Sequence, residues 1–337
     1  MRVETARSNG GHPTFFRSVR RTGRVISAIV FVYLTQLSVP ASGQVEPALS
    51  ALPPGNDDSK CLPPEHEDFE KTERAAEQGH PDAQCYLGKL YFNGWTVRQD
   101  YAEAARWVRK AAEQGNAPAQ ALLCGLYYSG RGVPKDYAES LKWCAKAAAQ
   151  GEAVAQMTLG VLYEYGHGVA ENPREAAVWY RKAAEQGMGG AQFFLAEQYR
   201  FGKGVVQDYQ EAANWYRKAA DQGMADAQVR LGAMYGSGQG GPQDYVEAAS
   251  WFRKAADQGN VVAQEMLARM YDLGHGVPQD YVQAHMWANL AAAASSGEEQ
   301  QRTRQLRDDI GHELTPEQIE KAQQLAREWK PTGSHPK

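Results

Sequence analysis

The amino-acid sequence predicts an all-α fold, an α-solenoid of six 36-residue helix-turn-helix repeats with helical caps. Three observations support this prediction. Glutamine, tryptophan and glycine each recur six times at intervals of 36 residues. Apolar residues inside each interval follow the helical period. Residues typical of helix ends separate the two helices of each copy. The recurring residues are Gln84, Gln120, Gln156, Gln192, Gln228 and Gln264; Trp107, Trp143, Trp179, Trp215, Trp251 and Trp287; and Gly79, Gly115, Gly151, Gly187, Gly223 and Gly259.

Each copy contains two helices. In the first copy, Ala83, Leu87 and Tyr91 fall on one helical face, and Gly94 ends the helix because glycine adopts the left-handed conformation readily. The second helix begins at Asp100. Glu103 stands three residues later, which predicts a reciprocal capping box in which each side chain bonds to the other residue's backbone N–H.

Small and large side chains explain how the helices pack. One column of small residues, which includes Gly88, lies on the first helices, and another, which includes Ala104, lies on the second. These columns allow the two helices to approach closely. The tryptophans, of which Trp179 is a central example, are expected to be buried between copies. Lysines such as Lys110 lie in the last turn, where they complement the helix dipole.

The ends of the periodic region are expected to close it. Residues 66–80 predict a capping helix, 81–294 the six repeats and 295–330 a C-terminal helical cap, before a disordered tail at 331–337. Within that cap, Thr315 is the expected N-cap of a helix that has Pro316 at its first position.

Residues 1–43 have the order of a secretory signal peptide. A basic stretch containing Arg20 and Arg21 precedes an apolar run from Val25 to Val39, and small residues precede a cleavage site after Gly43. An uncleaved membrane anchor and a start downstream of Met1 stay open as alternatives. Residues 44–65 form a proline-rich linker. The predicted location is periplasmic or secreted, with no transmembrane segment after cleavage.

The charge balance argues against nucleic-acid binding. The formal net charge of the chain is −4, and cleavage after Gly43 removes six arginines and one glutamate, which leaves −9. A body this acidic repels phosphate backbones. No nucleic acid is therefore expected among its partners.

The pattern A-x-Q-x-x-L-G-x-x-Y-x-x-G-x-G-V-x-x-D-Y-x-E-A-x-x-W-x-x-K-A-A-x-x-G resembles the Sel-one-like repeat (SLR), a relative of the tetratricopeptide repeat. Residues 82–294 match it throughout. The resemblance implies a right-handed solenoid of helix pairs that serves as an adaptor or binding scaffold. Departures are Pro173, which replaces the usual tyrosine, and Trp95-Thr96 in the first copy.

No cofactor, metal or catalytic residue is predicted. The motifs H-E-x-x-H and C-x-x-C are absent, and His167 and His275 lie three copies apart. Some cysteine-rich secreted members of the family are linked to β-lactam binding or hydrolysis. Lys330-Pro331-Thr332-Gly333 resembles the K-T-G of such enzymes only loosely, so a β-lactamase-like hydrolase is kept as an alternative.

Four cysteines allow three disulfide pairings in an exported chain. Cys124 lies on the first helix of the second copy and faces the second helix, where Cys144 lies one turn beyond Ser140. That placement favours Cys124–Cys144, which leaves Cys61–Cys85. Buried free thiols stay an open alternative.

The predicted binding face consists of the columns on the first helices that vary between copies. Such columns are free of the shared scaffold, and several hold aromatic residues, which are expected to be exposed. By resemblance to tetratricopeptide solenoids, this is the concave face. The expected ligand is a protein or peptide; an envelope polysaccharide or peptidoglycan, and a groove without a ligand, remain alternatives. The predicted partner-binding residues are Lys89, Phe92, Tyr128, Glu164, Tyr165, Phe193, Glu197, Arg200, Phe201 and Arg269.

Overall fold

The computed structural model describes residues 69–332, which belong to two compact units, 69–231 and 232–332. Fifteen helices and no strand occur in this range. Each predicted copy contributes one first and one second helix, so the fold is an all-α solenoid. The predicted signal segment 1–43 and linker 44–65 lie outside the described residues.

The first unit contains a single helix followed by four helix pairs, and a tenth helix crosses the boundary between the units. The bounds are α1 (Phe69–Glu77), α2 (Pro81–Asn93), α3 (Tyr101–Glu113), α4 (Ala117–Ser129), α5 (Tyr137–Ala149), α6 (Ala153–Tyr165), α7 (Pro173–Glu185), α8 (Gly189–Phe201), α9 (Tyr209–Asp221) and α10 (Ala225–Ser237). The second unit continues with α11 (Tyr245–Asp257), α12 (Val261–Leu273), α13 (Tyr281–Ala294), α14 (Gly297–Gly311) and α15 (Pro316–Glu328).

The helix ends follow the sequence signals with one correction. Gly94 ends α2 in the left-handed conformation, and the Asp100 carboxylate accepts hydrogen bonds from the N–H groups of Ala102 and Glu103. The reciprocal half of the predicted capping box is wrong here, because the Asp100 N–H already donates to the carbonyl of Tyr91, at 2.9 Å. The Glu103 carboxylate instead accepts from an arginine one turn on.

The recurring glutamines join consecutive copies. Gln120 Nε2 donates to the carbonyl of Ala112, at the end of the preceding copy, and Gln120 Oε1 accepts from Gln150 Nε2, 2.8 Å away. Three further pairs in the first unit repeat this link: Gln84 with Gln114, Gln156 with Gln186, and Gln192 with Gln222. Each of these buried glutamines donates to the preceding copy and accepts from its own copy. Both hydrogen bonds form only when consecutive copies stay at this distance.

The tryptophan column is buried with one exception. Trp215 and Trp251 are 7% and 4% exposed, and the Nζ of Lys218 and Lys254 lie 3.7 Å from their ring centres. These lysines therefore make cation–π contacts in addition to complementing the helix dipole. Trp179 is only half-buried, so the prediction of a buried ring is wrong at this copy.

A second loop glycine sets the close approach of consecutive copies. A Cβ at Gly132 would lie 1.8 Å from the carbonyl oxygen of Tyr101, the first residue of α3. Gly132 also has a φ of +70°, which glycine adopts without strain. Thr96 occupies the equivalent position in the first copy, and Glu65, the counterpart of Tyr101, lies outside the described residues.

In the second unit, α14 and α15 both pack against α13. Thr315 is the N-cap of α15 and Pro316 its first residue, as the sequence predicts, and Thr315 and Gln318 also form a complete capping box there. The ring of Trp329 meets that of Trp287 edge to face, with centroids 6.2 Å apart. Within residues 69–332 no helix combines the length and apolar character that a membrane span requires.

Candidate functional site

The first unit contains a buried polar network that begins with two tyrosines of the second helices. Tyr180 on α7 and Tyr216 on α9 are fully buried. Each packs against a small residue of its partner helix: a Cβ at Gly160 would lie 2.4 Å from the ring of Tyr180, and Ala196 holds the equivalent place in the next copy. The space left by these small residues lets the two rings lie close against the first helices.

The Tyr180 hydroxyl donates to Glu164 on α6, at 2.7 Å. The other oxygen of Glu164 accepts from Gln198 Nε2 on α8, at 3.0 Å. Burial raises the pKa of Glu164 above its ordinary value, while the hydrogen bond from Tyr180 and the charge of Lys203 act in the opposite direction. Neutral donors therefore fix the orientation of this carboxylate.

A second carboxylate has charged partners. Glu197 on α8 accepts a hydrogen bond from the Tyr216 hydroxyl, and its oxygens lie 3.3 Å from guanidinium nitrogens of Arg200 and of Arg230. Glu197 and Arg200 are 4% and 2% exposed. The Arg200 guanidinium also lies 4.0 Å from the ring centre of Phe201. Because the charges are paired and hydrogen-bonded, the fold tolerates their burial.

Aromatic side chains lie beside this network. Tyr165 and Phe201 hold equivalent positions in adjacent copies, and both are half-buried. Burial, with the charge of Glu164 as the next contribution, raises the pKa of Tyr165. The ring of Tyr137, the first residue of α5, stacks on that of His167 in the loop after α6, with centroids 4.3 Å apart, and Tyr128 packs against both.

The structure corrects the prediction that the aromatic residues of the varying columns are exposed. Tyr128 and Phe193 are 5% and 9% exposed, and Lys89 is buried as well. Phe92 is half-buried and packs edge to face on Tyr101. Only part of the predicted face is therefore accessible.

Residues of the varying columns are buried because the first helices of neighbouring copies also pack on one another. Met157 on α6 illustrates this, since its sulfur lies 3.1 Å from the place where Gly190 on α8 would carry a Cβ. A column between neighbouring helices varies because a large residue in one copy is matched by a small one in the next. A column can therefore vary between copies because its residues are matched in size to their neighbours, and not only because they are exposed.

Arg269, unlike the other predicted binding residues, belongs to the second unit. It bonds to the buried carboxylate of Glu265 on α12, whose other oxygen accepts from Arg302 on α14. Both arginines line an open cavity of about 540 Å³, together with Glu298, Gln301, Gln305, Leu306 and Asp309.

Sequence reasoning missed Tyr180, Tyr216, Gln198 and Arg230. The sequence does contain a sign of the two tyrosines, because they interrupt a column of residues without hydroxyl groups on the second helices. This column consists of Val108, Cys144, Tyr180, Tyr216, Phe252 and Ala288. Hydroxyls appear in this column only in the third and fourth copies. The same two copies carry a glutamate on the first helix, Glu164 in the third copy and Glu197 in the fourth. No other copy combines a tyrosine in this column with a glutamate on its first helix.

A disulfide joins Cys124 on α4 to Cys144 on α5, with Cα atoms 5.1 Å apart. The pair occupies the two positions at which Gly160 meets Tyr180 in the next copy. Cys85 is buried and also disulfide-bonded, and Cys61 lies outside the described residues. Among residues 69–332, no three metal-ligating side chains cluster in a way that could hold an ion.

Solved structures of two bacterial proteins are similar to this chain. A protective antigen of uropathogenic Escherichia coli with an SLR fold is 37% identical, with a TM-score of 0.69; the match covers 78% of this chain but only 56% of that one. A Sel1 repeat protein from Oxalobacter formigenes is 34% identical, with a TM-score of 0.58, over 68% of this chain and 93% of that one. No curated protein matches the chain significantly.

The family model of the Sel1 repeat matches six consecutive segments, at residues 81–116, 117–152, 153–188, 190–224, 225–260 and 261–296. These segments account for the six copies found from the 36-residue period. The chain belongs to the Sel1 repeat family.

Proposed function

We propose that the chain is a non-catalytic scaffold of the bacterial cell envelope that binds a peptide segment of a partner protein. Sel1 repeat proteins are generally protein-interaction scaffolds, which supports the binding role. The signal-like order of residues 1–43 supports export. The binding surface lies on the first helices of the second to fourth repeats, beside Glu164, Tyr165 and Phe201.

One observation carries the choice of surface. Tyr165 and Phe201 hold equivalent positions of adjacent repeats, and both stay partly exposed. The side chains of the network beside them, such as Tyr180 and Arg200, are buried. Aromatic residues held by a rigid, hydrogen-bonded support lose little entropy on binding and contribute strongly when they become desolvated.

A random dodecapeptide library displayed on phage tests this proposal with the purified protein. We expect the double variant Tyr165→Ser, Phe201→Ser to lose at least tenfold in affinity for the selected peptides while its melting temperature stays close to that of the unsubstituted protein. Trp95→Ser is the matched control, because Trp95 is 59% exposed but lies in the loop of the first repeat. Equal binding by the double variant would place the ligand elsewhere.

Polysaccharide is the second candidate ligand. The stacked rings of Tyr137 and His167, with Lys135 Nζ 4.9 Å from the Tyr137 ring centre, form the kind of aromatic surface on which a sugar ring can lie. A glycan array that includes peptidoglycan fragments separates the two candidates. Binding on that array, with no peptide recovered from the library, would replace the peptide proposal.

A further inference from the structure

Glu164 is half-buried, and it differs from Glu197 and Glu265, the buried glutamates of the described residues, in the charges that surround it. Glu197 and Glu265 each lie within ion-pair distance of two arginines. Among residues 69–332, no cationic side chain lies within 4.0 Å of Glu164, and both of its oxygens are held by neutral donors. Lys203 attracts it only from farther away. Glu164 is therefore fixed in place without an ion-pair partner among the described residues.

A second unsatisfied group lies next to it. Gln198 is 1% exposed and donates Nε2 to Glu164, but its own Oε1 is buried and has no hydrogen-bond partner among the described residues. A buried acceptor without a donor is costly. The carboxylate and this amide oxygen together present acceptors to an incoming group that carries several N–H donors.

Tyr165, next to Glu164 in the chain, can contact the apolar part of an incoming basic side chain. Tyr165 follows Glu164 in the chain and is half-buried, and its phenol is close enough to be affected by the Glu164 charge. Lysine and arginine combine an apolar stem with a cationic head, so an aromatic face next to a carboxylate can contact both parts.

We propose that Glu164 is the subsite for a basic side chain, lysine or arginine, of the bound peptide. This inference rests on the proposed function and names the chemistry of the partner. The acidic net charge of the chain, −4, favours association with a basic segment. On binding, the cationic head bonds to the Glu164 carboxylate, and Gln198 gains the donor that it lacks.

The test compares peptides selected by the unsubstituted protein with their binding to Glu164→Gln. We expect the selected peptides to share a lysine or arginine, and their affinity to fall at least tenfold in this variant, since hydrogen bonds between charged groups contribute that much. Glu185→Gln, an exposed site at the end of α7, removes the same charge away from the surface and should bind normally.

A change in the peptide tests the same contact without altering the protein. Replacing the shared basic residue by norleucine should weaken binding to the unsubstituted protein by the same factor, and should have little further effect on Glu164→Gln. Selected peptides without a basic residue, or equal affinity for Glu164→Gln, would overturn the subsite while leaving peptide binding intact. Recovery of no peptide at all would overturn the proposed function itself.

Discussion

Gly160 provides a sharp test of how tightly the two helices of a repeat pack. The Cβ of an alanine at this position would lie 2.4 Å from Cε1 and 2.5 Å from Cδ1 of Tyr180. Tyr180 cannot move away easily, because its side chain is fully buried and its hydroxyl is bonded to Glu164. Gly160→Ala should therefore overpack the interface, which costs about 1–3 kcal/mol.

Gly125 is the matched control. It also lies inside a first helix, α4, but it is exposed, and a Cβ there would meet nothing within 4 Å. Gly125→Ala should stabilise the protein by about 0.5–1 kcal/mol through helix propensity alone. The difference between the two alanine variants then measures the overpacking at Gly160 with the propensity contribution removed.

Urea unfolding gives the free-energy difference, and hydrogen exchange shows where it acts. Coupling in a solenoid is strongest between neighbours, so lost protection should concentrate in α6 and α7. In a Tyr180→Ala background the penalty should disappear, because the sixth repeat already accommodates the pair Ala268 and Ala288. If Gly160→Ala is as stable as Gly125→Ala in the unsubstituted background, the close approach does not constrain the helices as argued.

Three further predictions concern other parts of the chain. Removing the disulfide between Cys124 and Cys144, which closes a loop of 20 residues, should lower the free energy of unfolding by about 3 kcal/mol, measured by urea unfolding of the double variant Cys124→Ala, Cys144→Ala, since a reductant would also break the disulfide of Cys85. Burial lowers the pKa of His285, so stability that is present above about pH 6.5 should be lost as the pH falls towards the lowered folded-state value; His285→Ala should flatten this dependence, and an unchanged pH profile would contradict the burial argument. N-terminal sequencing of exported protein should begin at Gln44, whereas an intact Met1 on cytoplasmic protein would refute the signal peptide.

The sequence predicts the repeat architecture well because the signals are local and recur six times. Asp100 as an N-cap and Gly94 as a helix end act through the backbone of their own helix, so spacing along the chain is sufficient to identify them. The reciprocal capping box failed because the competing partner, the carbonyl of Tyr91, comes from the preceding helix. The spacing of residues within one helix does not show which groups of another helix will compete for its hydrogen bonds.

The candidate site was harder to predict for the same reason. A column that contains Glu197 in one repeat and Gly125 in another cannot be a hydrocarbon core position, and exposure is the simplest interpretation of it. The structure shows that burial is possible because Arg230 and Tyr216, from two other helices, join Arg200 of the same helix around Glu197. None of these pairings follows from the 36-residue period.

The two tyrosines show how a uniform scaffold can acquire a local specificity. Val108 and Phe252 occupy the same column as Tyr180 and Tyr216, and they fill the space against the first helix with hydrocarbon. A phenol fills the same space but also carries a hydroxyl, which needs a hydrogen-bond partner when it is buried. Glu164 and Glu197 supply that partner, and because Glu164 is half-buried and Glu197 is buried, their carboxylates in turn require donors or cations. Within the first unit, one substitution in the core column therefore imposes polar residues on the first-helix face of the third and fourth repeats, and a ligand can distinguish those repeats from their neighbours by charge although the backbone repeats unchanged.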